Sequence, residues 1–234
     1  MVEGEKKGPK GAAIGDPTAT VEDYLQTIYY MNRDHKPVFG ARLAERLSVS
    51  APTVAATLQR MRRDGLTWLD GRKEVHLTER GQQLAESIVR RHALAEHLLV
   101  DLLGLRWAEA HLEAHRVEHA ISPRVEERLL AVLGNPTTCP HGNPMPGVEQ
   151  QDTGAVPLST FQAGQRGTVT RIHEEAEEDL RLLTFLEESG VKPGAALVVD
   201  EVAAYNSTVT VHIGDTQVVL GDRTAAYVWV RPEP

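Results

Sequence analysis

The chain has 234 residues, 41% of them hydrophobic and 25% charged, with a net charge of −8. That length supports one large domain or two to three small ones, and that composition buries a core and is not that of a disordered tail. There is no apolar run of about 18 residues to span a membrane and no signal peptide behind the N-terminal lysines, and the single cysteine, Cys139, excludes a disulfide framework or a cysteine-rich zinc site, so a cytoplasmic protein is expected.

The acidity is unevenly spread. Residues 1–86 carry a net +1, residues 87–147 carry −1 and residues 148–234 carry −8, whereas residues 40–80 alone carry +3. A basic binding face near residues 40–80 is compatible with an acidic protein.

Residues 1–17 are rich in Gly, Pro and Lys and lack apolar periodicity, which predicts a disordered arm. A helix is expected from Thr18, capped by Thr18 or Thr20, with Glu22 and Asp23 in its first turn and Leu25, Ile28 and Tyr29 at helical spacing. Residues 39–65 read as two short helices joined by a tight turn. Leu43, Ala44 and Leu47 face inward on the first and Val54, Leu58 and Met61 on the second, with Val49 in the turn, Ser50 as cap, Pro52 in the first turn and Gly65 at the end. This is a helix-turn-helix pattern. Leu66/Trp68 and Val75/Leu77 then alternate about Asp70-Gly71, which predicts a hairpin with Arg72 and Lys73 near its tip. A helix-turn-helix followed by a basic hairpin is a winged helix.

Residues 78–133 read as helical, with breaks near Gly104 and Ser122-Pro123. The leucines Leu94, Leu98, Leu99, Leu102 and Leu103 form a stripe that predicts a helix-mediated dimer. Residues 134–163 read as loop. From Gly164 the period shortens to strands (TVTRI, ALVVDEV, TVTVHI, TQVVL, AAYVWV), interrupted by the acidic helical stretch EEAEEDLRLLTFLEE. The expected fold class is mainly α with a small all-β domain. Its parts are the arm (1–17), a winged helix-turn-helix (18–86), a helical metal-binding and dimerisation domain (87–147), a linker (148–163) and a C-terminal SH3-like barrel (164–234).

Ten histidines are present, five of them between positions 92 and 119. His92 and Glu96 are four residues apart, and His111, His115 and His119 recur every four with Glu118 adjacent, so each set shares a helix face. A solvated polar stripe is the plain alternative, but convergent imidazoles and carboxylates are what metal ligation needs. His115-Arg-Val-Glu118-His119 also matches the H-x-x-E-H protease pattern, in which two His bind zinc and the Glu is general base. That chemistry needs a further carboxylate ligand and an open cleft, which a winged helix does not supply. A metal-independent winged-helix regulator with structural histidines is the third alternative.

The runs EDYLQTIYYM, ARLAERLSVSAPTVAATLQRMRRDGL, RRHALAEHLLVDLLGL, EAHRVEHAIS and CPHGNPMPG, in that order, resemble the diphtheria-toxin-repressor family of metal-dependent transcriptional repressors, including its manganese-sensing branch. The resemblance is ungapped from about Thr20 to Gly147 and continues more weakly into the tail. It implies a homodimer that binds operator DNA, is not an enzyme, controls metal-homeostasis genes and carries two metal sites per protomer. The matching primary-site positions are Asp23, His115, Glu118 and His119. The ancillary site falls on His92, Glu96 and His111, with Glu174 and Glu177 from the β-domain.

The iron-sensing branch has a thioether at the position of Asp23 and a thiol at that of His115. The manganese branch has a carboxylate at that of Gln26. Oxygen and imidazole donors suit Mn²⁺ or Fe²⁺ rather than a soft metal, and Mn²⁺ is the expected ion with Fe²⁺ as the alternative. The resemblance makes the loop of Cys139 and His141 structural. The reading helix would span about residues 51–63, with Ser50, Pro52, Thr53, Arg60, Arg63, Arg72 and Lys73 at the DNA. Ala55 and Ala56 replace polar side chains of the toxin-repressor branch, so DNA shape is expected to carry much of the specificity.

Overall fold

The computed structural model describes residues 17–148 and 154–233. The arm expected at 1–17 lies almost wholly outside the described residues. The chain divides into two compact units, Met1–Ala85 and Glu86–Pro234.

In the first unit α1 spans Ala19–Arg33, α2 Gly40–Arg46 and α3 Ala51–Arg63. Thr18 occupies the cap position of α1, but its side chain makes no cap bond. Its carbonyl instead accepts from the N–H groups of Val21 and Glu22. Ser50 does cap α3, with its hydroxyl accepting from the Thr53 N–H at 3.3 Å. The predicted apolar positions form the core. Tyr24, Leu25, Ile28, Leu43, Val54, Leu58, Met61 and Val75 are buried together.

The hairpin strands β1 (Thr67–Leu69) and β2 (Val75–Leu77) are antiparallel. Two expectations are corrected here. The pairs Thr67↔Leu77 and Leu69↔Val75 face inward, while Trp68 pairs with His76 on the outer face and stacks on its ring at 4.5 Å. The turn is also longer than a two-residue Asp-Gly link. The Asp70 carboxylate accepts from the N–H groups of Arg72 and Glu74, both at 2.8 Å, and closes a loop from Asp70 to Glu74.

The division between the units falls inside α4 (Glu79–His97), which continues into a wider π-helical turn at Leu98–Leu102. Then follow α5 (Trp107–Val117), a 3₁₀ turn at Glu118–Ala120, and α6 (Pro123–Val132), capped by Ser122. The leucine stripe splits. Leu94 and Leu99 are buried and Leu98 is half-buried, whereas Leu102, the last residue of the π turn, and Leu103 just past it are exposed.

The β-domain is a six-stranded antiparallel sheet in the order β3-β8-β4-β5-β6-β7. Its strands are β3 (Val156–Pro157), β4 (Arg166–Ile172), β5 (Ala196–Ala203), β6 (Thr208–Ile213), β7 (Thr216–Gly221) and β8 (Val228–Pro232), with helices α7 (Glu174–Glu177), α8 (Leu180–Glu188) and α9 (Asp222–Tyr227). The segment expected as linker therefore contributes an edge strand, and Leu158 and Phe161 beyond it enter the core. The expected strand AAYVWV begins only at Val228, because Ala225-Ala226-Tyr227 close α9. Trp107 and Ala108 of α5 are buried in this same β-domain core, so the helical and β parts share one unit.

Candidate metal centre and DNA-binding face

The i, i+4 spacing on α4 puts His92 and Glu96 on one face, and α5 brings His111 and His115 to it. His92 Nε2 lies 3.1 Å from Glu96 Oε1 and 3.1 Å from His111 Nδ1, and His111 Nδ1 lies 3.0 Å from Glu96 Oε1. From the β-domain, Glu177 Oε2 lies 3.1 Å from the same His111 Nδ1. Donors about 2.1 Å from a common ion, at right angles to one another, stand about 3 Å apart. The four residues are at most 3% exposed. Two buried carboxylates facing one region repel unless cations sit between them, so this donor set fits a divalent ion in both spacing and charge.

A third carboxylate, Glu118, lies against the other side of this cluster. It is fully buried and hydrogen-bonded to His92 Nδ1, with His115 Nδ1 at 3.3 Å and His119 Nε2 at 3.5 Å. His115 also points Nε2 at His111 Nε2, 3.3 Å away, so it touches both expected ligand sets. His92, its two nitrogens turned to Glu96 and Glu118, joins them too.

Electrostatics follow the geometry. Burial opposes a charge on His92, but Glu96 and Glu118 outweigh it and raise its pKa to about 9. Burial likewise opposes a charge on Glu118, yet hydrogen bonds from His115 and His92 hold its pKa at about 2. Glu96 and Glu177 are held below the usual carboxylate range against the cost of burial, chiefly by His141, and His111 is raised by Glu177 and Glu96. Burial pushes the Cys139 thiol well up.

Of the other predicted positions, Asp23 lies half-buried on α1 in the first unit, and Gln26 is buried one turn later. Glu174 is buried on α7, but it is outside the sets of donors that fall within 4.8 Å of one another among the described residues. His141 and Cys139, expected to be only structural, do fall in such a set with Glu96. The sequence signal for His141 was its Cys-Pro-His-Gly context, which gives no hint of which helix the loop meets.

In the first unit the cap residue Ser50 is exposed, as are Pro52, Thr53 and Arg63 on α3, Arg60 is half-buried, and Arg72 and Lys73 are exposed at the hairpin tip. Gln59 and Arg62 share the exposed face of α3 with Ala55, at the i+4 and i+7 positions, and sequence reasoning did not single them out.

Known proteins match across nearly the whole chain. An iron-dependent repressor N-terminal DNA-binding domain matches residues 16–75, an iron-dependent repressor metal-binding and dimerisation domain matches residues 78–147, and a FeoA domain matches residues 156–232. The iron-dependent repressor IdeR of Mycobacterium tuberculosis is 41% identical over 203 residues, which cover 82% of this chain and 88% of that protein. The chain belongs to the iron-dependent repressor family. It is a metal-dependent, DNA-binding transcriptional repressor. The diphtheria toxin repressor of Corynebacterium glutamicum is 35% identical to this repressor over 217 residues, covering 88% of the chain and 94% of the relative. A solved manganese-dependent transcriptional repressor in complex with manganese superposes on it with a TM-score of 0.81 at 34% identity, covering 91% of this chain and all of the other. The winged helix, the helical region and the small SH3-like β-domain are thus those of the family. Among the described residues no helix is long and apolar enough to cross a membrane.

Proposed function

We propose that this repressor is a homodimer activated by Mn²⁺, with Fe²⁺ as the competing ion, and that each protomer holds two metal sites. The observation that carries the reading is the cluster about His111 Nδ1, which has His92 Nε2, Glu96 Oε1 and Glu177 Oε2 each 3.0–3.1 Å away. These four hold the first ion, and Glu174 joins them through α7. Asp23, His115, Glu118 and His119 hold the second. In this reading His115, Glu118 and His119 are ligands, and no catalytic role is assigned.

Asp23 belongs to the unit that carries α3, and the other three ligands belong to the unit of α4 and α5. An ion held by both sets joins the DNA-reading part to the dimerising part. The two reading helices of a dimer must sit about one DNA turn, or a multiple of it, apart. Metal need only favour the arrangement that meets this spacing, and its leverage equals its difference in affinity for the two arrangements. Ser50, Pro52, Thr53, Arg60, Arg63, Arg72 and Lys73 then meet the DNA. The Ser50 hydroxyl is already engaged as a helix cap, so its phosphate contact is secondary to that of the arginines.

The choice of Mn²⁺ rests on a donor set of nitrogen and oxygen alone. The one thiol, Cys139, is buried and hard to ionise. Metal affinity does not settle the choice, since Fe²⁺ and Zn²⁺ generally bind such sites more tightly than Mn²⁺. The test compares fully loaded proteins. Mn²⁺-loaded and anaerobic Fe²⁺-loaded protein are expected to bind a selected operator duplex equally well. Mn²⁺-loaded protein that stays off DNA while the Fe²⁺ form binds would overturn the choice.

Metal must also displace the proton that His92 carries up to about pH 9. Protons and metal compete, so affinity at this site rises with pH, by about tenfold per unit for each proton released. Calorimetry in buffers of different ionisation enthalpy measures the protons released per ion. A pH-independent affinity between 6.5 and 9 would contradict the assignment.

A further inference from the structure

Glu96 turns one oxygen toward His92 and His111, and Glu177 turns one toward His111. The other oxygen of each meets the loop of residues 139–143. Glu96 offers Oε1 to both imidazoles, while its Oε2 is buried without a hydrogen bond and lies 3.3 Å from His141 Nδ1, itself buried without a hydrogen bond. Glu177 offers Oε2 to His111, while its Oε1 accepts from Asn143 Nδ2 at 2.6 Å. The Asn143 amide has a defined orientation. Its Nδ2 also donates to the Ile172 carbonyl at 2.6 Å, and its Oδ1 accepts from Arg171 Nη1 at 3.3 Å, with the Arg171 guanidinium over the Trp229 ring.

The loop itself is anchored on both sides. The Trp107 indole N–H donates to the Pro140 carbonyl at 3.1 Å, and the Trp107 ring packs 4.4 Å from that of His141. The Ile172 N–H donates to the His141 carbonyl at 2.9 Å. Gly142 has φ +87, and a Cβ there would stand 2.1 Å from the Thr170 carbonyl oxygen, so only glycine lets the loop lie this close to β4. A loop held between α5 and β4 can fix two side chains against carboxylates that come from α4 and α7.

We propose that His141 and Asn143 are positioning residues for the metal centre. They hold Glu96 and Glu177 by the oxygen that the ion does not use, so that the other oxygen faces the imidazole ligands without rearrangement. Partners behind the ligands fix ligand orientation, and their loss costs typically about 10–100-fold in metal affinity. The inference rests on the metal reading of the His92, Glu96, His111 and Glu177 cluster.

The test uses the full chain, with Mn²⁺ bound counted by electron paramagnetic resonance of the free ion. His141→Phe removes Nδ1 but keeps a ring against Trp107. Asn143→Leu removes the amide at similar volume. His111→Gln removes a direct ligand and identifies the ion bound at this centre. Melting of the metal-free proteins reports packing separately. His141→Phe is expected to bind that ion about 10–100-fold more weakly with the ion count per chain unchanged, and His141→Gln, which restores a donor to Glu96, is expected to recover part of the loss.

Unchanged affinity in His141→Phe, while His111→Gln loses the ion, overturns the positioning role and leaves the site reading intact. An ion count that falls in His141→Phe but not in His111→Gln also overturns it, since His141 would then be a ligand of a separate ion. If His111→Gln binds as the natural protein does, both readings fail together. If Asn143→Leu proves unfolded, the decision rests on the His141 pair.

Discussion

Replacing Asp23 by Ala is expected to leave the protein folded and to weaken metal-activated operator binding by about 10- to 100-fold. The fold survives because α1 is held by its buried apolar face, Val21, Tyr24, Leu25 and Ile28, each at most 4% exposed, and Asp23 lies off that face. Its carbonyl accepts from the Thr27 hydroxyl at 2.8 Å, a bond that the substitution keeps. What the substitution removes is a carboxylate that the proposed function assigns to the ion joining the two units. Circular dichroism and thermal melting check the fold, and fluorescence anisotropy at fixed salt checks the DNA. The salt must be fixed because phosphate contacts dominate affinity. An Asp23→Ala protein that binds operator with the metal dependence of the natural chain would remove Asp23 from the switch.

His92→Ala should have the largest effect on stability. One nitrogen of His92 faces Glu96 and the other is bonded to Glu118, and both carboxylates are fully buried. Removing the imidazole leaves two buried negative charges short of a partner, a loss of about 3 kcal/mol by comparison with broken buried ion pairs. His111 and His115 remain beside those carboxylates and keep the loss near the lower end of the range. For a chain of this size the melting temperature of the metal-free protein then falls by about 6–12 °C. Added Mn²⁺ stabilises the natural protein by mass action, and that increment should shrink in the variant. A variant as stable as the natural protein would mean that water or side-chain movement solvates Glu96 and Glu118.

The helix-turn-helix was legible because its apolar positions repeat at helical spacing, with Ser50, Pro52 and Gly65 marking the ends of α3. The histidine cluster was legible for the same reason, since i, i+4 spacing on α4 and on α5 aligns donors before any tertiary contact is known. The hairpin was found, but not its face. Its three-residue strands are too short for alternation to fix which residues point inward, and Trp68, the most apolar candidate, stacks on His76 at the surface instead. The strand at Val156–Pro157 was missed because two residues carry no period, and its partner β8 lies more than 70 positions away in sequence. The helix α9 was missed because Ala-Ala-Tyr reads equally well as the start of the strand that follows. His141 and Asn143 were hidden for another reason. Their partners Glu96 and Glu177 come from distant helices, and only the anchored loop brings them together.

In the proposed mechanism metal occupancy switches the affinity for DNA. The most direct measurement is anisotropy of a labelled operator duplex, selected from random sequence by metal-loaded protein, at one salt concentration. The natural protein is titrated once in chelator and once in Mn²⁺. Binding is expected to be tight with Mn²⁺ and only weak and salt-sensitive in chelator. Equal binding in both conditions, for a protein shown to have lost its metal, would contradict that mechanism.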